Sequence, residues 1–277
     1  LGGGSNVVAP DEGFPGVVIR PVSATLHIAP DGGVVADAGV ATALLARRTV
    51  AAGLAGLAWA AGLPGAVGGA VVGNAGCYGG EIRDGLAWVE AWSPQARAVR
   101  RYGPEACRFG YRDSAFKHES CCVLRAAWRL SPLPDPAAAA LAIKAGLDHR
   151  RQEQPLGAAS AGCLFKNVPV DAATIGRLEA VLGLVPEPAR ARSFVPAGWL
   201  LDRLGLKGFV SGGVRVSDRH ANFAVCAATA TARDMAVLRD ELRTRVFAAV
   251  GLALEPEIRF LGRAGFLSDN PRPSVLP

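Results

Sequence analysis

Leu63-Pro-Gly-Ala-Val-Gly-Gly-Ala-Val-Val-Gly-Asn-Ala-Gly-Cys-Tyr-Gly-Gly-Glu81 places seven glycines in nineteen residues. Backbone without Cβ atoms lets N–H groups approach an anion closely, and successive amides form a concave cradle for a pyrophosphate. The same chemistry opens the chain in Gly2-Gly-Gly-Ser-Asn6, so three glycine-rich stretches (2–6, 63–70 and 74–81) precede Ile82. One such loop reads as a tight turn; three in one domain read as a nucleotide cradle. None has the G-x-G-x-x-G spacing at a strand-to-helix turn, which excludes a Rossmann site. The window from Thr49 to Gly80 is uncharged, as a membrane span would be, but ten glycines and Pro64 interrupt it. It reads as a short helix followed by buried, tightly turning backbone rather than a lipid-facing helix.

With 277 residues and an apolar fraction of 50%, the chain can build one large domain or two smaller ones with packed cores. The formal charge of +6 comes from scattered residues, nearly all arginine. With no block of five or more, a small anionic ligand is expected rather than nucleic acid. None of the six cysteines lies in a C-x-x-C pair or has histidine at metal-ligand spacing, so no metal site is expected. All six are read as reduced thiols of a cytoplasmic protein. The chain starts at Leu1 directly in a glycine loop that needs a preceding strand to aim it, so an N-terminally truncated sequence is expected.

Beyond that loop, Val7-Val-Ala9 and Val17-Val-Ile-Arg20 read as strands, and Leu26–Ile28 with Val34–Asp37 as a hairpin across Pro30-Asp-Gly-Gly33. Ala41 to Ala61 has helical spacing, and strands are expected around Leu86–Trp92 and Cys122–Leu130. Ser131-Pro-Leu-Pro-Asp-Pro136 is a stop, after which Ala137–Arg151 reads as a helix leading to a second unit. There, Thr174–Leu182, Gly198–Leu204 and Thr231–Val250 are helix candidates, and 208–227 holds strand-like runs.

Cys163 lies in Ser160-Ala-Gly-Cys-Leu-Phe-Lys-Asn167, where a small-residue turn presents a thiol beside a lysine and an amide. Taken alone, a cysteine in an apolar segment is a small buried hydrophobe; in this setting it is also a candidate proton donor. This segment and the glycine loops, together with Phe109-Gly-Tyr-Arg-Asp-Ser-Ala-Phe-Lys117, Ala197–Asp202, Leu206-Lys-Gly-Phe209, His220-Ala-Asn-Phe223 and Leu254-Glu-Pro-Glu-Ile-Arg259, resemble one family in the same order. That family is the UDP-N-acetylenolpyruvoylglucosamine reductases, flavoenzymes of bacterial cell-wall precursor synthesis, and the resemblance covers nearly the whole chain.

The resemblance implies an α+β protein with a vanillyl-alcohol-oxidase-type (PCMH-type) FAD-binding domain over 1–150, incomplete at its N-terminus. An α+β substrate-binding domain over 151–260 and a loose tail over 261–277 would follow. The implied cofactors are FAD and NADPH, and the implied partner is UDP-N-acetylglucosamine enolpyruvate, with no nucleic acid, no membrane and a monomeric state. NADPH reduces the flavin, hydride passes to the substrate β-carbon, and protonation of the α-carbon yields UDP-N-acetylmuramate. Carried over residue by residue, FAD contacts are expected at Gly2, Gly3, Gly4, Ser5, Asn6, Pro64, Gly65, Gly68, Gly69, Asn74, Gly76 and Gly79. A truncated fragment would bind FAD poorly.

Arg112 matches the family arginine that holds the substrate carboxylate, and Glu257 the glutamate that assists the same end. Cys163 stands where the family usually has serine; a thiol keeps a proton donor there and alters its geometry. Tyr111, Lys166, Asn167, Lys207 and His220 fall at substrate-binding positions, the lysine charges and amide suiting phosphate oxygens. Each has an ordinary alternative: Arg112 in a surface ion pair, Glu257 as a solvated residue, His220 as a cap or packing group. Tyr78 is equally compatible with a place beside the flavin and with a core aromatic. Two rivals stay open: another flavoenzyme of the same fold, such as one with covalently attached flavin, and a truncated, non-catalytic nucleotide-binding remnant.

Overall fold

A computed structural model describes residues 1–267. The chain divides into two compact units, one of Leu1–Ser5 and Val18–Arg150, the other of Asn6–Val17 and the residues from Arg151 onward. Residues 6–17, expected in the first domain, thus pack with the second.

The first unit is built on a five-stranded antiparallel sheet in the order Leu26–Ile28, Gly33–Asp37, Cys122–Arg129, Leu86–Ser93, Ala98–Tyr102. In Gly33–Asp37 the period-two pattern buries Val34 and Ala36, while Cys122–Arg129 buries Val123, Ala126 and Trp128. The helix Thr42–Ala51 buries Thr42, Leu45, Ala46 and Thr49 at i, i+3, i+4 and i+7, and its Leu45 joins the core that holds Val34, Ala36 and Trp128. The expected helix over 41–61 is broken: after Ala51 the chain turns and resumes as a 3₁₀ helix at Ala58–Gly62, because Gly53 and Gly56 adopt φ of +74° and +111°. A short helix, Val67–Val72, and a hairpin of Gly76–Cys77 with Gly80–Glu81 then complete the glycine-rich region. In that hairpin Tyr78 and Gly79 both have positive φ (52° and 88°), the two-residue turn that matches strand twist.

One expected strand is absent here and one unexpected strand is present. Val17–Arg20 is not a strand; Pro15 and Pro21 bracket it, and its valines and isoleucine are exposed, with Val17 86% accessible. The edge strand Ala98–Tyr102, unforeseen, closes on Leu86–Ser93 through a turn at Pro94–Arg97.

In the second unit, Val7–Val8 pairs in parallel with Arg259–Gly262, which pairs in turn with Gly265–Phe266. The segment expected to be loose from 261 is therefore strand and turn as far as Phe266, held by backbone pairing; 268–277 lie outside the described residues. A three-stranded meander of Val210–Ser211, Val214–Val216 and Ala224–Cys226 lies beside the helix Ala232–Val250, with helices Ala172–Leu182 and Ala197–Arg203 in the same unit. Thr231 and Asp234 form a capping box at the long helix's start, and Gly251 (φ 71°) ends it. Its Met235, Leu238, Leu242 and Val246 enter a core with Leu200, Leu201, Val214 and Ile258.

Candidate active site

In the first unit the loop 2–5 lies backbone to backbone against 65–69. A Cβ on Gly3 would stand 3.1 Å from Gly65 Cα, and one on Gly65, whose φ is +98°, 2.9 Å from Ser5 Oγ. Side chains at either position would separate the loops. Cβ positions on Gly4 and Gly69 meet nothing within 4 Å, so backbone faces open space on that side, as an anion cradle requires. Buried Thr42, a residue the sequence reading did not single out, pins the second loop by donating its hydroxyl to the carbonyls of Leu63 (2.8 Å) and Gly65 (3.2 Å). These residues fit the diphosphate of a dinucleotide such as FAD.

Other expected FAD contacts have different surroundings. Asn6 belongs to the second unit, because the chain leaves the glycine loop to pair Val7–Val8 with Arg259–Gly262. Its Nδ2 donates to the Glu257 carbonyl at 3.0 Å and its own carbonyl accepts from Arg259 N–H at 3.0 Å. Asn74, fully buried, donates from Nδ2 to Gly110 O at 2.8 Å and to Glu81 Oε2 at 2.9 Å, while its Oδ1 accepts from Arg83 N–H at 3.2 Å. Its carboxamide is engaged within the protein. Gly68 lies tight against Ala38 and Gly76 against Gly80, so both serve close packing, and Gly79 makes the hairpin turn.

The Asn74 and Gly76 contacts support the arginine loop. Gly110 and Asp113 exchange backbone hydrogen bonds around Tyr111 and Arg112, and Arg112 takes a left-handed φ of 55°. Arg112 donates from Nη2 to the Gly76 carbonyl at 2.6 Å, and its guanidinium lies 5.1 Å from the centre of the Tyr111 ring. Asn74 holds Gly110 two residues earlier, so the third glycine stretch braces a cation and an aromatic side by side.

In the second unit Cys163, partly exposed, forms an antiparallel bridge with Phe223, and Phe165 forms one with Pro256. Glu257 N–H donates to the Leu164 carbonyl at 2.8 Å and Lys166 N–H to the Glu255 carbonyl at 2.9 Å. The thiol and the glutamate thus sit on antiparallel neighbouring segments. Lys166, expected at the substrate, is 8% accessible and pairs with the Glu255 carboxylate, a partner that offsets the cost of burying an ammonium. Asn167 Oδ1 accepts from Ala197 N–H at 3.3 Å, fixing the start of the helix Ala197–Arg203. Lys207 pairs with Asp202 at 2.9 Å and keeps about a third of its side chain accessible. His220 packs edge-on to Phe223 at 4.9 Å and accepts at Nδ1 from Asn222 N–H at 3.2 Å. Burial lowers its pKa, so the ring is neutral with Nδ1 unprotonated.

The remaining thiols are free, and burial raises those of Cys77, Cys226 and Cys107, the last to about 11. Among the described residues no group of three or more His, Cys, Asp or Glu could hold a metal ion, and no helix is long and apolar enough to cross a membrane.

Comparison with known proteins falls on these same segments. A family profile described as FAD binding domain matches residues 1–101, and one described as UDP-N-acetylenolpyruvoylglucosamine reductase, C-terminal domain, matches 154–261. The reductase of that name from Heliobacterium modesticaldum is 37% identical over 266 residues, 96% of this chain and 77% of that protein. That from Gloeobacter violaceus is 36% identical over 95% of this chain and 81% of its own length. The crystal structure of the Thermus caldophilus UDP-N-acetylenolpyruvylglucosamine reductase, 34% identical, superposes with a TM-score of 0.70 over 94% of this chain and 84% of that one. The first region therefore has the PCMH-type FAD-binding fold, the whole chain is α+β, and the chain belongs to the UDP-N-acetylenolpyruvoylglucosamine reductase family.

Proposed function

We propose that this chain catalyses the FAD-dependent reduction of UDP-N-acetylglucosamine enolpyruvate to UDP-N-acetylmuramate with NADPH, a step of peptidoglycan precursor synthesis. One observation carries the assignment of chemistry to residues: the Glu257 N–H to Leu164 carbonyl bond, which makes the segments of Cys163 and Glu257 direct neighbours. Proton delivery to a carbon beside a carboxylate calls for such a grouping of a donor and a carboxyl group.

The loops 2–5 and 64–69 hold the FAD diphosphate, and the first unit is the cofactor domain. Bound FAD, reduced by NADPH, supplies the hydride for the substrate β-carbon. Arg112 binds the substrate carboxylate, its guanidinium oriented by the Gly76 carbonyl and the Tyr111 ring. Permanently charged and planar, it stabilises the negative charge that develops at the carboxylated end. Cys163 then gives its thiol proton to the α-carbon, and Glu257 assists as an acid at the same end. In the second unit, the substrate domain, Lys207, Asn167 and His220 receive the substrate's diphosphate; a neutral His220 with Nδ1 occupied presents Nε2–H as a donor. Lys166, paired with Glu255, braces this segment from behind. The reading extends to a monomeric, cytoplasmic enzyme without a nucleic-acid partner. Supporting the last point, Arg101 and Arg125 both pair with Glu90 and Arg129 with Asp31, which leaves fewer unpaired cations on that sheet.

Mass spectrometry of the nucleotide product tests the assignment. One UDP-N-acetylmuramate is expected per NADPH oxidised, whereas NADPH consumption indifferent to the sugar nucleotide contradicts it.

A further inference from the structure

The backbone around the thiol contains one arrangement that pairing between segments alone does not explain. Phe165 faces Pro256 in an antiparallel bridge whose hydrogen bonds fall on either side of it, from Lys166 N–H to Glu255 and from Glu257 N–H to Leu164. This is the wide type of antiparallel pair, in which the central residue's own N–H and C=O point away from the partner. Phe165 is wholly inaccessible, so these two groups have no water to bond.

Both are met by one side chain. Asn222 Oδ1 accepts from Phe165 N–H at 3.0 Å, and Asn222 Nδ2 donates to the Phe165 carbonyl at 2.8 Å. A carboxamide has the donor and acceptor of a peptide group at the same spacing, so Asn222 takes the place of a missing neighbouring strand. Its own carbonyl accepts from Leu164 N–H at 2.8 Å, its N–H donates to His220 Nδ1, and its accessibility is 3%. The next residue, Phe223, forms the bridge to Cys163 itself.

We propose that Asn222 is a positioning residue for the proton-donating thiol: it locks the backbone of 164–165 and thereby the direction of the Cys163 side chain. The inference rests on the reading of Cys163 as the donor. Aspartate at 222 would keep the acceptor for Phe165 N–H, lose the donor to its carbonyl and bury a charge. Alanine would leave two buried backbone groups unpaired.

A double-mutant cycle on the FAD-loaded enzyme tests this, using Asn222→Ala, Cys163→Ala and the pair. Two rates are read: flavin reduction by NADPH, and formation of UDP-N-acetylmuramate. Asn222→Ala is expected to lower product formation by about tenfold to a hundredfold while flavin reduction stays within about twofold. In the Cys163→Ala background the same change should cost less than about threefold more, because the group it positions is gone. Asn222→Asp, isosteric, serves if the alanine variant does not fold; flavin-replete protein with impaired product formation and normal flavin reduction supports the proposal. Additive losses in the double variant overturn it, as does a parallel fall in flavin reduction, which assigns Asn222 to the general fold. Full activity of flavin-replete Asn222→Asp overturns it too. If Cys163→Ala alone turns over normally, the donor reading fails and takes this inference with it, an outcome distinct from additivity.

Discussion

Cys163 differs from the other thiols in what surrounds it more than in its own chemistry. Burial suppresses ionisation at Cys107, Cys77 and Cys226; Cys163, partly exposed as Cys77, Cys121, Cys122 and Cys226 also are, lies on a segment fixed by its own bridge to Phe223 and by that of Phe165 to Pro256. Iodoacetamide should therefore inactivate the enzyme, with protection by the enolpyruvyl nucleotide; the check is that a Cys163→Ser variant resists, and equal inactivation of that variant assigns the effect to another thiol. At Lys207, the pairing with Asp202 leaves ammonium protons for a phosphate. Lys207→Ala should raise the KM for the sugar nucleotide about tenfold or more, with oxidation of NADPH by oxygen nearly unchanged; equal losses in both would move Lys207 to the fold or the nicotinamide site. His220 gives a pH prediction. Burial depresses its folded-state pKa, so the unfolded chain binds the proton more readily. The stability this contributes is present above the unfolded value of about 6.5 and is lost as pH falls through the folded value. Melting temperature should drop below about pH 6.5 in the wild type and less steeply in His220→Gln, as followed by circular dichroism; parallel curves would exclude His220 as the source.

At the scale of elements, strands and helices with strong periodicity were legible in the sequence. The hairpin 26–37, the strands 86–93 and 122–129, and the helices after Pro136 and Thr231 lie where spacing and caps put them. Val17–Arg20 was misread because β-branched residues make a strand only where a neighbouring edge is available, and prolines bracket this run. Residues 6–17 were misassigned because their pairing partner, Arg259–Gly262, is about 250 residues away, a distance no local pattern encodes. The third glycine stretch was recognised as functional, yet its asparagine serves the arginine loop. Asn74→Ala should remove donors to Gly110 and Glu81 and an acceptor for Arg83, a loss of about 1–3 kcal/mol. Denaturant unfolding should show that loss together with a fall in kcat/KM through Arg112; a destabilised variant with unaltered kinetics would separate the brace from the site.

For the molecule as a whole, the family was readable because its motifs are runs of unusual residues in fixed order, and those runs survive at 34–37% identity. Less readable was the division of labour within each motif. Lys166 and Asn167 are adjacent in sequence, yet one is buried against Glu255 and the other holds a helix start. No role was read for Asn222 within His220-Ala-Asn-Phe223, since only three-dimensional pairing reveals the two orphaned groups of Phe165 that it satisfies. On the proposed roles, flavin reduction by NADPH proceeds without Cys163, and proton delivery to the substrate requires it. Anaerobic rapid mixing of FAD-loaded Cys163→Ala, first with NADPH and then with the enolpyruvyl nucleotide, separates the two steps. Flavin bleaching is expected at the wild-type rate, with product formation slowed by about a hundredfold to ten-thousandfold and substantially recovered in Cys163→Ser. Product formation by the alanine variant at the wild-type rate would contradict the proton-delivery role.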